Sequence, residues 1–322
     1  MKGIMKKTVL LFGLVSVLAL SGCGQKENIK PVEVAALNGP TGIGMVKLMA
    51  DEKDKTTKAY NVTLYQSPDE IVGKVVSGEI DIACVPSNMG AVLYNKTQGE
   101  VKLLGTNTLG TLYIVENGES ITKVEDLKGK VILASGKDST PEFVLNHILK
   151  QNGLEPGQDV TIEFMGNHAD IASKLLTDKG TIALLPQPFV TTVMAKNEDI
   201  HTVVDINSIW QEVDQMDLPM GIIIGRKEFI DANPNGLENF LKDYKASVTY
   251  VSEHLDDAAE LVASFEIIPN AQIAKKAILA CNIVYRDHEE SQEMLNQFYE
   301  ILANENVKAV GGKLPDEGFY SY

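Results

Sequence analysis

The sequence is poor in cysteine, tryptophan and positive charge, and each shortage excludes something. Its three cysteines, Cys23, Cys84 and Cys281, are too few for a disulfide framework. Past Cys23 a single bridge is all that could form, and two buried unpaired thiols are expected instead. The five histidines, His147, His168, His201, His254 and His288, are scattered. No Cys/His spacing resembles a metal site, so neither metal nor cofactor is expected. Lys and Arg number 29 against 44 Asp and Glu, a net charge of −15. Such a balance argues against nucleic acid as a partner and against an electrostatic grip on anionic lipid. Ser87 and Ser139 have no histidine near them in sequence, and no paired carboxylates stand out in the candidate loops. No catalytic constellation is visible, and an enzyme is not expected.

One apolar run is present near the start. Thr8 to Leu20 follows Lys2, Lys6 and Lys7 and is too short to span a bilayer comfortably. It ends in Leu20-Ser-Gly-Cys23, the order and position of a bacterial lipobox. Residues 1–22 therefore read as a lipoprotein signal peptide, Cys23 as the lipidated first residue of the mature chain, and 23–30 as a polar tether.

The remaining chain repeats itself. Val32 to Leu37 and Val131 to Ala134 are apolar strands, each followed by a Gly-containing loop and a helical stretch. The first loop is Asn38-Gly-Pro-Thr-Gly42, with a helix from Ile43 to about Ala50. The second is Ser135 to Thr140, in which Ser139 or Thr140 is placed to cap a helix opened by Pro141. Ile82-Ala-Cys-Val-Pro86 and Ile182-Ala-Leu-Leu-Pro186 match in the same way. Two copies roughly a hundred residues apart suggest two α/β lobes whose loops leave the C-terminal ends of strands.

Two extended apolar stretches, Leu109–Val115 and Leu218–Gly225, read as crossings between the lobes. The second lobe, 113–219, is then an insertion into a first lobe made of 31–112 plus 220–322. After Arg226 the pattern is almost wholly helical, with amphipathic segments near 235–252, 256–265, 270–280 and 288–303. Pro315 to Tyr322 reads as a polar, aromatic tail.

Four motifs carry a resemblance. Gly78-Glu-Ile-Asp-Ile-Ala precedes a first-lobe loop, and Asp126-Leu-Lys-Gly-Lys130 precedes the second-lobe strand. Gly136-Lys-Asp-Ser-Thr-Pro141 opens its helix, and Ala183-Leu-Leu-Pro-Gln-Pro-Phe189 follows on the cleft side. With the lipobox, these resemble the solute-binding lipoproteins of ABC importers in the nitrate/sulfonate/taurine group, over about Val32 to Ile301. The resemblance implies a periplasmic-binding-protein type II fold: α/β, two lobes, each a mixed sheet flanked by helices, with two crossover strands as hinge. It implies a monomer at the outer face of the cytoplasmic membrane that captures a small organic molecule or anion and delivers it to a permease with an ATPase. The alternative is an enzyme on the same fold, resembling menaquinone-pathway enzymes or the yeast pyrimidine synthase. Those are cytoplasmic and lack a lipobox, and the cysteine-rich motif of the synthase is absent here.

The expected site follows from position, because each candidate lies where a buried strand gives way to a loop or helix. From the first lobe come Asn38, Gly39, Thr41, Gly42, Pro86, Ser87, Asn88 and Asn107, and from the second Gly136, Ser139, Thr140 and Gln187. Their groups are neutral hydrogen-bond donors and acceptors. Tyr65, Phe189 and Trp210 could stack on a ring or fill the core. Changing Cys23 to Ser should move the protein from the membrane fraction to the soluble fraction of its own cells. A variant that is cleaved yet stays with the membrane would refute the lipobox.

Overall fold

The computed structural model describes residues 30–322. The leader, Cys23 and the tether up to residue 29 lie outside the described residues. The chain opens with β1 (Val32–Leu37), α1 (Pro40–Ile43), α2 (Val46–Lys53), β2 (Tyr60–Tyr65), α3 (Pro68–Ser77), β3 (Ile82–Pro86), α4 (Ser87–Lys96) and β4 (Val101–Thr108). It continues through β5 (Leu112–Asn117), β6 (Val131–Ala134), α5 (Thr140–Gln151), β7 (Thr161–Phe164), α6 (His168–Thr177), β8 (Ile182–Pro186), α7 (Phe189–Lys196), β9 (Ile200–Asp205) and α8 (Ile206–Asp214). It closes with β10 (Gly221–Arg226), α9 (Lys227–Ala232), α10 (Pro234–Glu253), α11 (Leu255–Ser264), α12 (Ala271–Ala280), β11 (Ile283–Asp287) and α13 (His288–Glu305).

These strands form two sheets. Sheet A has the order β11-β4-β10-β3-β1-β2, and sheet B the order β7-β6-β8-β5-β9. The inner parts of the two match: β2-β1-β3-β10-β4 corresponds to β7-β6-β8-β5-β9. In each, the strand that runs antiparallel to both neighbours is the first after a crossing: β5 comes from sheet A, and β10 comes back from sheet B. The repeated motifs occupy equivalent places, β1 with β6 and β3 with β8. Helices cover both faces, which is why the inner strands read as continuous apolar runs and every residue of β4 is buried.

Local chemistry sets the element ends. Ser67 and Glu70 form a capping box on α3, and Asp287 and Glu290 form another on α13. Asp205 caps α8 through the N–H groups of Asn207 and Ser208.

Four sequence expectations need correcting. The loop after β1 is already helical at Pro40–Ile43, and the next helix starts at Val46 rather than running from Ile43 to Ala50. Ser139 holds the N-cap position of α5 but makes no side-chain cap. Its hydroxyl donates instead to the carbonyl of Gly136. The C-terminal third is not wholly helical, because β11 pairs antiparallel with β4 at the edge of sheet A. The end of the chain is no tail: Phe319 is fully buried against Tyr94 and Tyr299.

A buried apolar core continues from one sheet to the other. Trp210 of α8 packs edge-on against Phe298 of α13 at 5.8 Å and beside the His147 ring at 5.1 Å. Having no exposed surface, Trp210 is core and offers no stacking face. A half-buried charge network ties β1, β3 and β10 at the far end of sheet A. Asp81 accepts from Arg226 Nη2 at 2.8 Å and from the N–H of Glu33 at 3.0 Å, while Arg226 Nε donates to Ile80 O at 2.9 Å. Burial opposes the Arg226 charge, but its pairs with Asp81 and Glu228 outweigh burial and hold the guanidinium above its ordinary value. Asp81→Ala removes two bonds and leaves Arg226 half-buried with a weaker partner, so it should cost about 2–3 kcal/mol. Urea unfolding of the two proteins measures this, and a loss under half a kcal/mol would show the network to be idle.

Candidate functional site

β1, β2, β3 and β4 end on one edge of sheet A, where β10 and β11 begin; β6, β7, β8 and β9 end on one edge of sheet B, where β5 begins. The two edges face each other. α12 packs on α7 at one side of the junction, and α13 packs on α5 at the other, where Lys150 pairs with Glu305. Directly across the junction, Thr140 Oγ1 donates to Asn88 Oδ1 at 2.8 Å. This bond joins the first residue of α5 to the second of α4, and neither α4 nor α5 has a side-chain cap.

Around that bond lie groups with nothing to bind. Asn38 Oδ1 and Ser87 Oγ are buried without a partner. Ser87 is otherwise fixed: its N–H donates to Met220 O at 3.2 Å, and its carbonyl accepts from Tyr299 OH at 2.9 Å. Gly39 is buried, yet a Cβ built on it would meet no atom within 4 Å. Beyond its chain neighbours, a side chain at Gly39 would therefore point into open space at the end of β1.

Other expected residues are spent locally. Thr41 Oγ1 bonds the N–H and carbonyl of Leu37, and a Cβ on Gly42 would strike Leu37 O at 2.7 Å. Pro86 holds the N-cap position of α4. Gln187 Oε1 accepts from the N–H and hydroxyl of Thr191, at 3.2 and 2.8 Å, in the first turn of α7. Gly136, in the left-handed region at φ 77°, turns the loop back so that Ser139 closes on it. Asn107 is fully buried within β4; its Oδ1 accepts from Thr108 Oγ1 at 3.1 Å, and its Nδ2 lies unpaired near Cys84 and Tyr244. Cys84 and Cys281 are free and buried, and burial pushes each thiol up to about 12. Lys137 and Asp138, the charged residues of these loops, are exposed.

The sequence reading missed a second cluster. Ser135 Oγ lies 2.7 Å from His168 Nδ1, and the His168 ring packs against Phe189 at 5.4 Å. The three follow β6, β7 and β8, neighbours on the facing edge of sheet B. The available signal was the strand-to-helix turn at Asn167-His168, of the same kind as the loops that were chosen. Burial pushes the His168 imidazole down to about 4, so it is neutral at neutral pH and a weak base. No carboxylate bonds its ring among the described residues, so the pair lacks the orienting group of a nucleophilic triad.

A surface depression of about 560 Å³, lined by Lys47, Asp51, Glu52, Tyr60, Asp243 and Tyr250, lies between α2 and α10. Tyr60 opens β2, which puts the depression toward the edge of sheet A away from the junction. Its polar groups are paired among themselves, Lys47 with Asp51 and Tyr60 with Asp243.

Residues 45–266 match the family model described as ABC transporter, phosphonate, periplasmic substrate-binding protein. The chain belongs to that family. A substrate-binding protein of this family is the extracytoplasmic component of an ABC importer; it binds a small ligand and works with permease and ATPase subunits. Among curated relatives, YtlA of Bacillus subtilis is 22% identical over 246 residues, covering 73% of this chain and 70% of that one. Among solved structures, an ABC transporter protein from Parabacteroides distasonis is 24% identical, with a TM-score of 0.77, covering 90% of this chain and 98% of that one. The periplasmic aliphatic sulphonate binding protein SsuA from Escherichia coli is 14% identical, with a TM-score of 0.69, covering 89% and 92%. These likenesses bear out the two-sheet fold. The family is one of binding proteins, and nothing among these relatives favours the enzyme alternative. No helix of the described residues is long and apolar enough to cross a membrane.

The buried imidazole has a consequence for this binding protein in acid. Unfolded, His168 takes its proton near the ordinary 6.5; folded, it does so near 4. The folded form therefore loses stability as pH falls from the higher value toward the lower, and regains it on return. Thermal melts at pH 7 and pH 4.5 should show a smaller acid loss for His168→Gln than for the wild type. Equal losses would show that the ring titrates freely.

Proposed function

We propose that this binding protein is held at the outer face of the cytoplasmic membrane by lipid on Cys23, acts as a monomer, and closes two lobes around a small organic oxyanion. The lobes are 31–112 plus 220–322, and 113–219. The observation that carries the reading is the pair of buried, unpartnered atoms Asn38 Oδ1 and Ser87 Oγ, with open space at Gly39, at a junction bridged by Asn88 and Thr140. Buried polar atoms are costly without partners. The Ser87 hydroxyl could donate to an oxyanion oxygen, while Asn38 Oδ1, an acceptor, would take a hydroxyl or N–H of the ligand's organic part.

The uncapped N-termini of α4 and α5 favour an anionic group between them. The family description names phosphonate, and one structural neighbour is named for aliphatic sulphonate; both are tetrahedral oxyanions. The organic remainder of such a ligand would lie toward Phe189, His168 and Ser135. Asn38, Gly39, Ser87 and Asn88 would then face Gly136, Ser139 and Thr140 across the ligand. Thr41, Gly42, Pro86, Asn107 and Gln187 would shape the walls.

Native mass spectrometry of protein purified from its own cells would identify a co-purified ligand. With that ligand, calorimetric titration should show several-fold weaker binding for Asn38→Ala, as expected for one neutral hydrogen bond of about 0.5–1.5 kcal/mol, and at least roughly tenfold for Ser87→Ala, as expected for one of about 1.5–3 kcal/mol to an ionised oxygen. The ligand-free melting temperature should stay nearly unchanged. Wild-type affinity in both variants would sink this site.

A further inference from the structure

We infer that Gly110 is the stop that sets how far the two lobes close, acting through contact with Asn207. This rests on the reading that the lobes open and close about a ligand. β4 ends at Thr108 in sheet A and β5 begins at Leu112 in sheet B, so Gly110 sits in the middle of the first crossing.

On the sheet A side the crossing is clamped. The N–H of Leu109 donates to Asn282 O at 3.0 Å, and Asn282 Nδ2 donates to Gly110 O. Asn282 has φ 44°, in the left-handed region that asparagine enters more readily than most residues. It directly precedes β11, whose Ile283 pairs with Thr108. The clamp is therefore built into the edge of sheet A.

On the sheet B side the crossing is pressed. Asn207 stands at the start of α8, with its N–H held by Asp205 Oδ1 at 3.0 Å. A Cβ built on Gly110 would lie 2.0 Å from Asn207 Oδ1, 2.3 Å from its Cγ and 2.5 Å from its Cβ. Turning the Asn207 side chain cannot relieve a clash that includes its Cβ, so the start of α8 would have to move. Gly110 is not among the glycines with left-handed backbone, so what it supplies is space. α8 also leads into the second crossing and carries Trp210, which packs on Phe298 of the other lobe. A shift at Asn207 therefore reaches both places where the lobes are joined. A methyl group at Gly110 would act as a wedge, because overpacked sites relax by moving elements rather than compressing them.

The test uses spin labels on Lys196→Cys of α7 and Lys276→Cys of α12, both exposed, on helices that pack together across the junction. Carrying them in the Cys23→Ser background leaves Cys84 and Cys281, both buried, as the only native thiols. Double electron–electron resonance should show a longer distance in Gly110→Ala than in its parent. Adding Asn207→Gly should restore the parent distance, while adding Asn207→Ala should not, because alanine keeps the Cβ. A parental distance in Gly110→Ala, or equal recovery by both second changes, would overturn the stop. Should Gly110→Ala fail to fold, a folded Gly110→Ala/Asn207→Gly protein with the parent distance supports the contact, and an equally unfolded one overturns it. Two distance populations in the parent that Gly110→Ala leaves unaltered would refute the stop and leave the opening motion standing. A single population at the same distance in every variant would refute both.

Discussion

The molecule depends on an exchange of strands. Each sheet has parallel strands supplied by its own part of the chain, with one antiparallel strand set between two of them that enters directly from the other sheet; sheet A adds β11 antiparallel at its edge. β5 fills its place between β8 and β9, and β10 fills its place between β3 and β4. Backbone hydrogen-bonding groups buried in a sheet must be paired. Withdrawing either strand would leave two neighbours bare, so neither sheet is complete without a chain crossing. The two crossings therefore cannot drift, and the edges they connect are held facing each other.

That constraint explains the chemistry at the junction. The edges carry the C-terminal ends of strands and the N-termini of helices, which leave N–H groups unpaired. Elsewhere these N-termini are commonly closed by side chains, as Ser67, Asn167, Asp205 and Asp287 do for α3, α6, α8 and α13. At α4 and α5 they are not. Thr140 and Asn88 instead bond each other across the gap, and Ser87 Oγ and Asn38 Oδ1 have no partner. Polar groups left open inside a well-packed body are costly, and a partner from outside would offset that cost.

Joining the lobes by core as well as by strands limits how they move. Trp210 against Phe298 ties α8 to α13, and α5 lies against α13. Any rotation about the crossings would move packed elements over short distances, where single contacts such as that proposed for Gly110 with Asn207 would carry weight.

Much of the fold was legible in local sequence. The apolar runs at Val32–Leu37, Val131–Ala134, Ile82–Pro86 and Ile182–Pro186 became β1, β6, β3 and β8, because burial on both faces demands continuous apolar residues. Ser67-Pro-Asp-Glu70 announced α3 through its capping box. β11 was missed because it fell unassigned between the helical segments 270–280 and 288–303, and five residues at a sheet edge carry too little pattern to read as a strand. Phe319 looked like part of a tail because only the surface formed by Tyr94 and Tyr299 makes it core.

The site divides along the same line. Position in the chain determined that Asn38, Ser87, Asn88 and Thr140 stand at strand ends, since strand and helix boundaries are set by neighbours in sequence. Tertiary structure alone decided that Asn88 and Thr140 meet, that Thr41 and Gln187 are consumed by their own turns, that His168 joins Ser135, and that Gly110 faces Asn207. Those pairings arise where one sheet is set against the other, and periodicity within a segment holds no record of that placement.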